Sequence, residues 1–280
     1  MGIINNVSFE KKMEANDSFD YGITFEMKGE FDKAENAFLK ALEIDPAFAE
    51  AYNKLGDVCM KKGKFIDAIE NYKKSIELKP DVENSHYDLG CAYLRLGQYE
   101  DALAELKNSL KLDPNHFEIY AQIGCIYVEK GEYFNALECF KKAIADDPTN
   151  VMARYYNGLA LKMAGKLKDA SYEFQSVIER YSGLIKIKKN YAEGYYFIGL
   201  SYYQLDNMKE AEVNVKKAIE LDTDKIDYHF SFGLYYSDGD SFFAMAQIKK
   251  AQGDSAAARE YIEKALKFDP ENKKFKSFSY

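Results

Sequence analysis

Three histidines and four cysteines are the residues in this chain best able to hold a metal or attack a substrate: His86, His116 and His229, and Cys59, Cys91, Cys125 and Cys139. Their spacing serves neither task. No helix carries His-x-x-x-His or Glu-x-x-His, and no Cys-x-x-Cys pair occurs. Asp238-Gly239-Asp240 hints at calcium but lacks the remaining ligands of a calcium loop. No glycine run reads as a phosphate cradle. Lys186, Lys188 and Lys189 form the most basic spot in the chain, and a solvated turn accounts for them better than an anion site does. No nucleophile stands beside a base. The expectation is therefore no catalytic residue, no metal and no cofactor.

The elements that could position a site are repetitive. Residues 117–150 carry two amphipathic helical patterns. The first is Tyr120, Ile123, Gly124 and Tyr127; the second is Ala136, Leu137, Phe140, Ala143 and Ile144. Gly131 lies between them and Pro148 ends the second. Four of the five prolines, Pro46, Pro80, Pro114 and Pro148, are 34 residues apart, and Pro270 follows at three further periods plus 20 residues. A fixed period of this length signals a solenoid, in which stacked units bury what none can bury alone.

With the closing proline numbered 32, most units have an apolar residue at position 7, a small one at 8, a large one at 11, Ala at 20, a large apolar one at 24 and a small one at 27. The first unit gives Tyr21, Gly22, Phe25, Ala34, Phe38 and Ala41. The second gives Leu55, Gly56, Cys59, Ala68, Tyr72 and Ser75. This pattern resembles the tetratricopeptide repeat. The resemblance implies an all-α fold, a right-handed α-solenoid (superhelix) of about seven helix–turn–helix repeats. They run over 15–48, 49–82, 83–116, 117–150, 151–191, 192–225 and 239–272, after an N-terminal extension at 1–14 and before a tail at 273–280.

Three places depart from the pattern. Arg154 and Asn157 stand where apolar residues belong. Seven extra residues fall within Ser182 to Tyr191, and a lengthened helix would keep its buried face, because seven residues make about two turns. Thirteen more occupy 226–238, an irregular insertion rich in Tyr and Phe. Two helical segments are expected around it, broken at Ser237-Asp238-Gly239 with Asp240 capping the second. No polar capping helix follows Pro270, so Phe275 and Phe278, or another subunit, are expected to cover the end.

Composition narrows the function. A net charge of −8 argues against nucleic acid and against anionic lipid. No apolar run approaches the ~20 residues of a membrane helix. The N-terminal sequence lacks the pattern of a secretory signal, and Asn6 replaces the Ser or Thr of a myristoylation motif, which makes the cytoplasm the default location. The cysteines then read as reduced, partly buried thiols.

The resemblance implies that first helices line a concave groove, where positions 2, 5, 6, 9, 12 and 13 would meet a partner. The carboxylate clamp of chaperone adaptors is not matched: the corresponding positions hold Phe19, Ile23, Lys54, Asn84 and Asp88. The first half of the groove is polar. The second half is aromatic, and Tyr155, Tyr156, Leu159, Tyr196, Phe197, Leu200 and Tyr203 are the candidate partner-binding residues. Burial of these residues within the chain is the competing reading. The expected function is a non-enzymatic interaction module, an adaptor or scaffold holding a partner peptide or helix. The alternatives are a scaffold that self-associates through its repeat ends and an accessory subunit of an enzyme complex.

Overall fold

The computed structural model describes residues 8–116, 118–221, 229–231, 234–236, 238–270 and 272–279. The chain is an all-α solenoid of helical hairpins that divides into two compact units, 1–114 and 115–280. In the first unit three hairpins follow one another: α1 (Phe9–Met27) with α2 (Phe31–Ile44), α3 (Ala49–Lys61) with α4 (Phe65–Leu78), and α5 (Glu83–Arg95) with α6 (Tyr99–Leu112). The second unit begins with α7 (Glu118–Glu129) and α8 (Tyr133–Asp146), then α9 (Val151–Met163) and α10 (Leu167–Ile187), then α11 (Ala192–Gln204) and α12 (Met208–Leu221). It ends with two short strands, β1 (His229–Ser231) and β2 (Leu234–Tyr236), the pair α13 (Asp238–Ala251) and α14 (Ser255–Phe268), and one turn, α15 (Lys273–Lys276). Within each unit every second helix packs on the next first helix, and successive first helices also touch.

Two local rules build each hairpin. The glycine at position 8 lets a second-helix side chain reach the first-helix backbone. A Cβ on Gly22 would lie 2.4 Å from Phe38, and one on Gly124 would lie 2.7 Å from Phe140. Both rings are fully buried, each worth roughly 1.5–3 kcal/mol. In the last hairpin Ala246 takes the glycine position and the smaller Ile262 takes the ring's place in one buried cluster. The second rule closes the turn. Gly131 adopts φ +74°, and Glu132 N–H donates to Tyr127 O at 2.8 Å, satisfying a carbonyl at the helix end.

The departures from period resolve separately. α10 has 21 residues where α8 has 14, so the seven extra residues continue the helix. Arg154 and Asn157 are paired within the chain. Both donate to Glu173 on α10, at 3.2 and 3.3 Å, and Arg154 also donates to Pro148 O at 3.2 Å. His86 sits at the same position two repeats earlier and bridges the same way, to Glu105 at 2.6 Å and Pro80 O at 3.1 Å.

The expectation of two helical segments around 226–238 is corrected. Residues 229–231 and 234–236 pair antiparallel, with His229 opposite Tyr236 and Ser231 opposite Leu234. The helix that follows starts at Asp238, upstream of the expected cap at Asp240. Aromatic residues fit a pleated ribbon well, and a helical reading of their spacing overlooked that preference. The remaining residues of this stretch, 222–228, 232–233 and 237, lie outside the described ones.

Candidate partner-binding face

The first helices of the second unit, α7, α9, α11 and α13, stand side by side and carry all seven aromatic and leucine candidates. They fall into two layers. Tyr155, Phe197 and Leu200 are 4%, 6% and 8% exposed and belong to the core. The Tyr155 ring meets Phe197 edge-on at 5.5 Å and Phe174 at 5.7 Å, and Phe197 stacks on Tyr181 at 5.7 Å. These rings bind α9, α10 and α11 together and offer little free area. Tyr156, Leu159, Tyr196 and Tyr203 are half-buried and rest on that core. Tyr156 stands edge-on to Tyr155 at 5.3 Å and Tyr196 edge-on to Phe197 at 5.2 Å, so buried neighbours fix both outer rings.

Burial pushes the Tyr156 phenol well above its ordinary value, with nearby Cys125 adding to it, and raises Tyr203, helped by Asp206. Both stay neutral near pH 7, so each can donate a hydrogen bond without carrying charge. Beside them on α7, Gln122 is fully buried, and its carboxamide has no hydrogen-bond partner among the described residues. Such a group costs about 1–3 kcal/mol if left unpaired.

The C-terminal tail also lies on this face, and Phe275 and Phe278 cover the last hairpin as expected, while the contact with α7 was not foreseen. Lys274 Nζ sits 3.7 Å from Glu129 Oε1 at the end of α7. Phe275 is 1% exposed and stacks on Phe243 of α13 at 5.1 Å. Phe278 meets the same ring edge-on at 5.6 Å. Lys250 lies over Phe278 at 5.1 Å and donates to the Ser279 carbonyl. A recess of about 350 Å³ remains between Tyr203, Gln247, Lys250, Ala251 and Phe278. The only hint in the sequence was the pair of phenylalanines beyond the last proline.

The corresponding face of the first unit is polar and internally paired. Lys54 Nζ donates to Asp57 at 2.7 Å, Tyr72 OH donates to the other Asp57 oxygen at 3.0 Å, and Asn53 Nδ2 donates to Asp88 at 3.0 Å. Burial holds both aspartates above the usual carboxylate range, and the Asp57 charge adds to the effect on Asp88. Lys54 is thus committed to Asp57. All four cysteines are free thiols, and burial, with Glu35 nearby, pushes Cys59 up to about 11. Among the described residues no group of His, Cys, Asp or Glu could hold a metal ion, and no helix is long and apolar enough to cross a membrane.

Family models described as TPR repeat match residues 27–63, 56–97 and 124–165, and models described as tetratricopeptide repeat match 84–116, 192–225 and 239–272. The chain belongs to the tetratricopeptide repeat family. Among solved structures, MamA is 30% identical over 61% of this chain and 94% of its own, with a TM-score of 0.55. A tetratricopeptide repeat protein from Parabacteroides merdae is 19% identical over 94% of this chain and 96% of its own, with a TM-score of 0.65. The Cut9–Hcn1 hetero-tetramer of the APC/C gives 15% identity, 91% of this chain, 46% of that chain and a TM-score of 0.61. The last two share the fold alone. Comparison with curated proteins gave no match. Tetratricopeptide repeats are in general protein-interaction modules, and the helical hairpins of this chain are of that kind.

Proposed function

We propose that this tetratricopeptide repeat protein is a non-catalytic adaptor that holds a peptide or helix of a partner protein on the first-helix face of its second unit. The observation that carries this reading is the layering of the aromatic side chains. Tyr156, Tyr196 and Tyr203 keep part of their surface, while Tyr155 and Phe197 beneath them are buried and hold them in place. Rings fixed in advance lose little freedom when a partner covers them, which is what interaction hot spots need. Their neutral hydroxyls would set register by hydrogen bonding.

The test is affinity capture from native lysate with wild type and Tyr196→Ala/Tyr203→Ala, compared after both give the same helicity. A partner held by wild type and lost by the double variant is the expected result. A partner held equally by both would remove this face from consideration. Self-association is the second reading, and α1 supports it: Phe9, Met13 and Tyr21 are 77%, 53% and 64% exposed. Light scattering at rising concentration separates the two readings.

A further inference from the structure

The tail contacts describe a ligand as well as a tail. A basic side chain, Lys274, meets Glu129; the next residue, Phe275, is an aromatic anchor on Phe243; and a second aromatic three residues on, Phe278, lies between Phe243 and Lys250. Lys250 also donates to the Ser279 main-chain carbonyl just after the helical turn that places Phe275 and Phe278 on one side. We propose that the first-helix face of the second unit, floored by the chain's own Phe275, is a receptor for a short segment with a basic residue and an aromatic four residues further. The chain's own Lys274 and Phe278 are its resident occupant. This deepens the adaptor reading and rests on it.

The contacts are graded in a way that suits displacement. Phe275 is buried and also covers α13 and α14, so it stays. The outer contacts are lighter. Lys274 and Glu129 are 58% and 40% exposed at 3.7 Å, and such surface pairs contribute little. The recess of about 350 Å³ beside Phe278 gives an incoming segment room that the tail leaves unfilled. A covalently attached occupant acts at high effective concentration, so it lowers the apparent affinity of a free competitor even when its own contacts are weak.

The experiment uses a fluorescein-labelled peptide with the sequence of residues 272–280 carrying Phe275→Ala, titrated by fluorescence anisotropy into full-length chains. Wild type should bind it weakly. Lys274→Ala/Phe278→Ala, which leaves Phe275 in place, should bind it about tenfold tighter or more. Adding Glu129→Lys to that variant should remove most of the gain. Thermal melts establish that each variant is folded. A folded tail variant that binds the peptide no better than wild type overturns the proposal. So does a wild-type chain that dimerises through these same residues, because the tail's receptor would then be a second copy. Loss of lysate capture by Tyr196→Ala/Tyr203→Ala, together with an unresponsive tail variant, would leave the adaptor reading standing and sink only the resident occupant.

Discussion

A methyl group on Gly124 would overlap the Phe140 ring at 2.7 Å, and the ring, fully buried, has nowhere to retreat. Gly124→Ala is therefore expected to cost about 1–3 kcal/mol in urea denaturation, despite alanine's better helix propensity. Asp206 calls for the opposite change. It has φ +60° at the turn position where six other hairpins use glycine, and a side chain there is strained. Asp206→Gly should stabilise the chain by about 0.5–1 kcal/mol, read as a higher urea midpoint. Asp88 gives a pH signature. Burial and the Asp57 charge raise its folded-state pKa, so between the ordinary Asp value and that raised value the folded chain binds more protons than the unfolded one. The stability it contributes is present at low pH and is lost as pH rises through the folded value. Asp88→Asn, which can still accept from Asn53, should be more stable than wild type near pH 7 by about 1 kcal/mol. The advantage should shrink as the pH falls toward the ordinary Asp range; an advantage constant with pH would rule out titration of Asp88 as its source.

Among the elements, α10 shows how a solenoid takes an insertion. Its added turns keep the buried face, and its far end is tied to α11 through Glu193, which is 5% exposed and accepts from Tyr181 OH at 3.0 Å and Tyr191 OH at 3.2 Å. Burial, and then the Glu193 charge, keep both phenols protonated, with Tyr191 pushed up to about 12. Glu193→Ala strands a buried hydroxyl and should cost about 1–3 kcal/mol, whereas Glu193→Gln keeps an acceptor and should cost less. Thermal unfolding of the pair checks the order. The seven extra residues were legible in the sequence because they preserve a period. The bridge from Arg154 and Asn157 to Glu173 was not, because spacing marks a polar residue as out of place without naming its partner. His86 with Glu105 holds the equivalent place, and only coordinates show the two as one device. The strand pair at 229–236 was misread for a related reason: a segment without a repeat has no neighbour to calibrate it.

For the molecule as a whole, periodicity revealed which residues share a face and left open how far the fold closes over that face. Tyr155 and Tyr156 were alike as groove candidates, yet one is core and the other half-exposed: Tyr155 lies between Phe174 of α10 and Phe197 of α11, while Tyr156 rests on Phe140 of α8. The tail was legible in part: Phe275 and Phe278 were expected to cover the end of the stack, and nothing in their order foretold the reach of Lys274 to Glu129. The tail's return onto α13 matters for the energetics of a solenoid. Each repeat is stabilised by its neighbours, and among the described residues α13 and α14 have a hairpin on one side and the tail on the other. Phe275, buried among Phe243, Ala246, Ile262 and Ala265, covers that second side. Phe275→Ala should therefore cost about 3–5 kcal/mol locally. Stability here is a sum over neighbouring repeats, so the loss should stay near its source. Hydrogen exchange followed by mass spectrometry is expected to show faster exchange across α13 and α14, with α7 to α10 protected as before. Equal loss of protection across the whole second unit would mean that the unit opens as one block, and that the tail holds all four of its hairpins rather than the last.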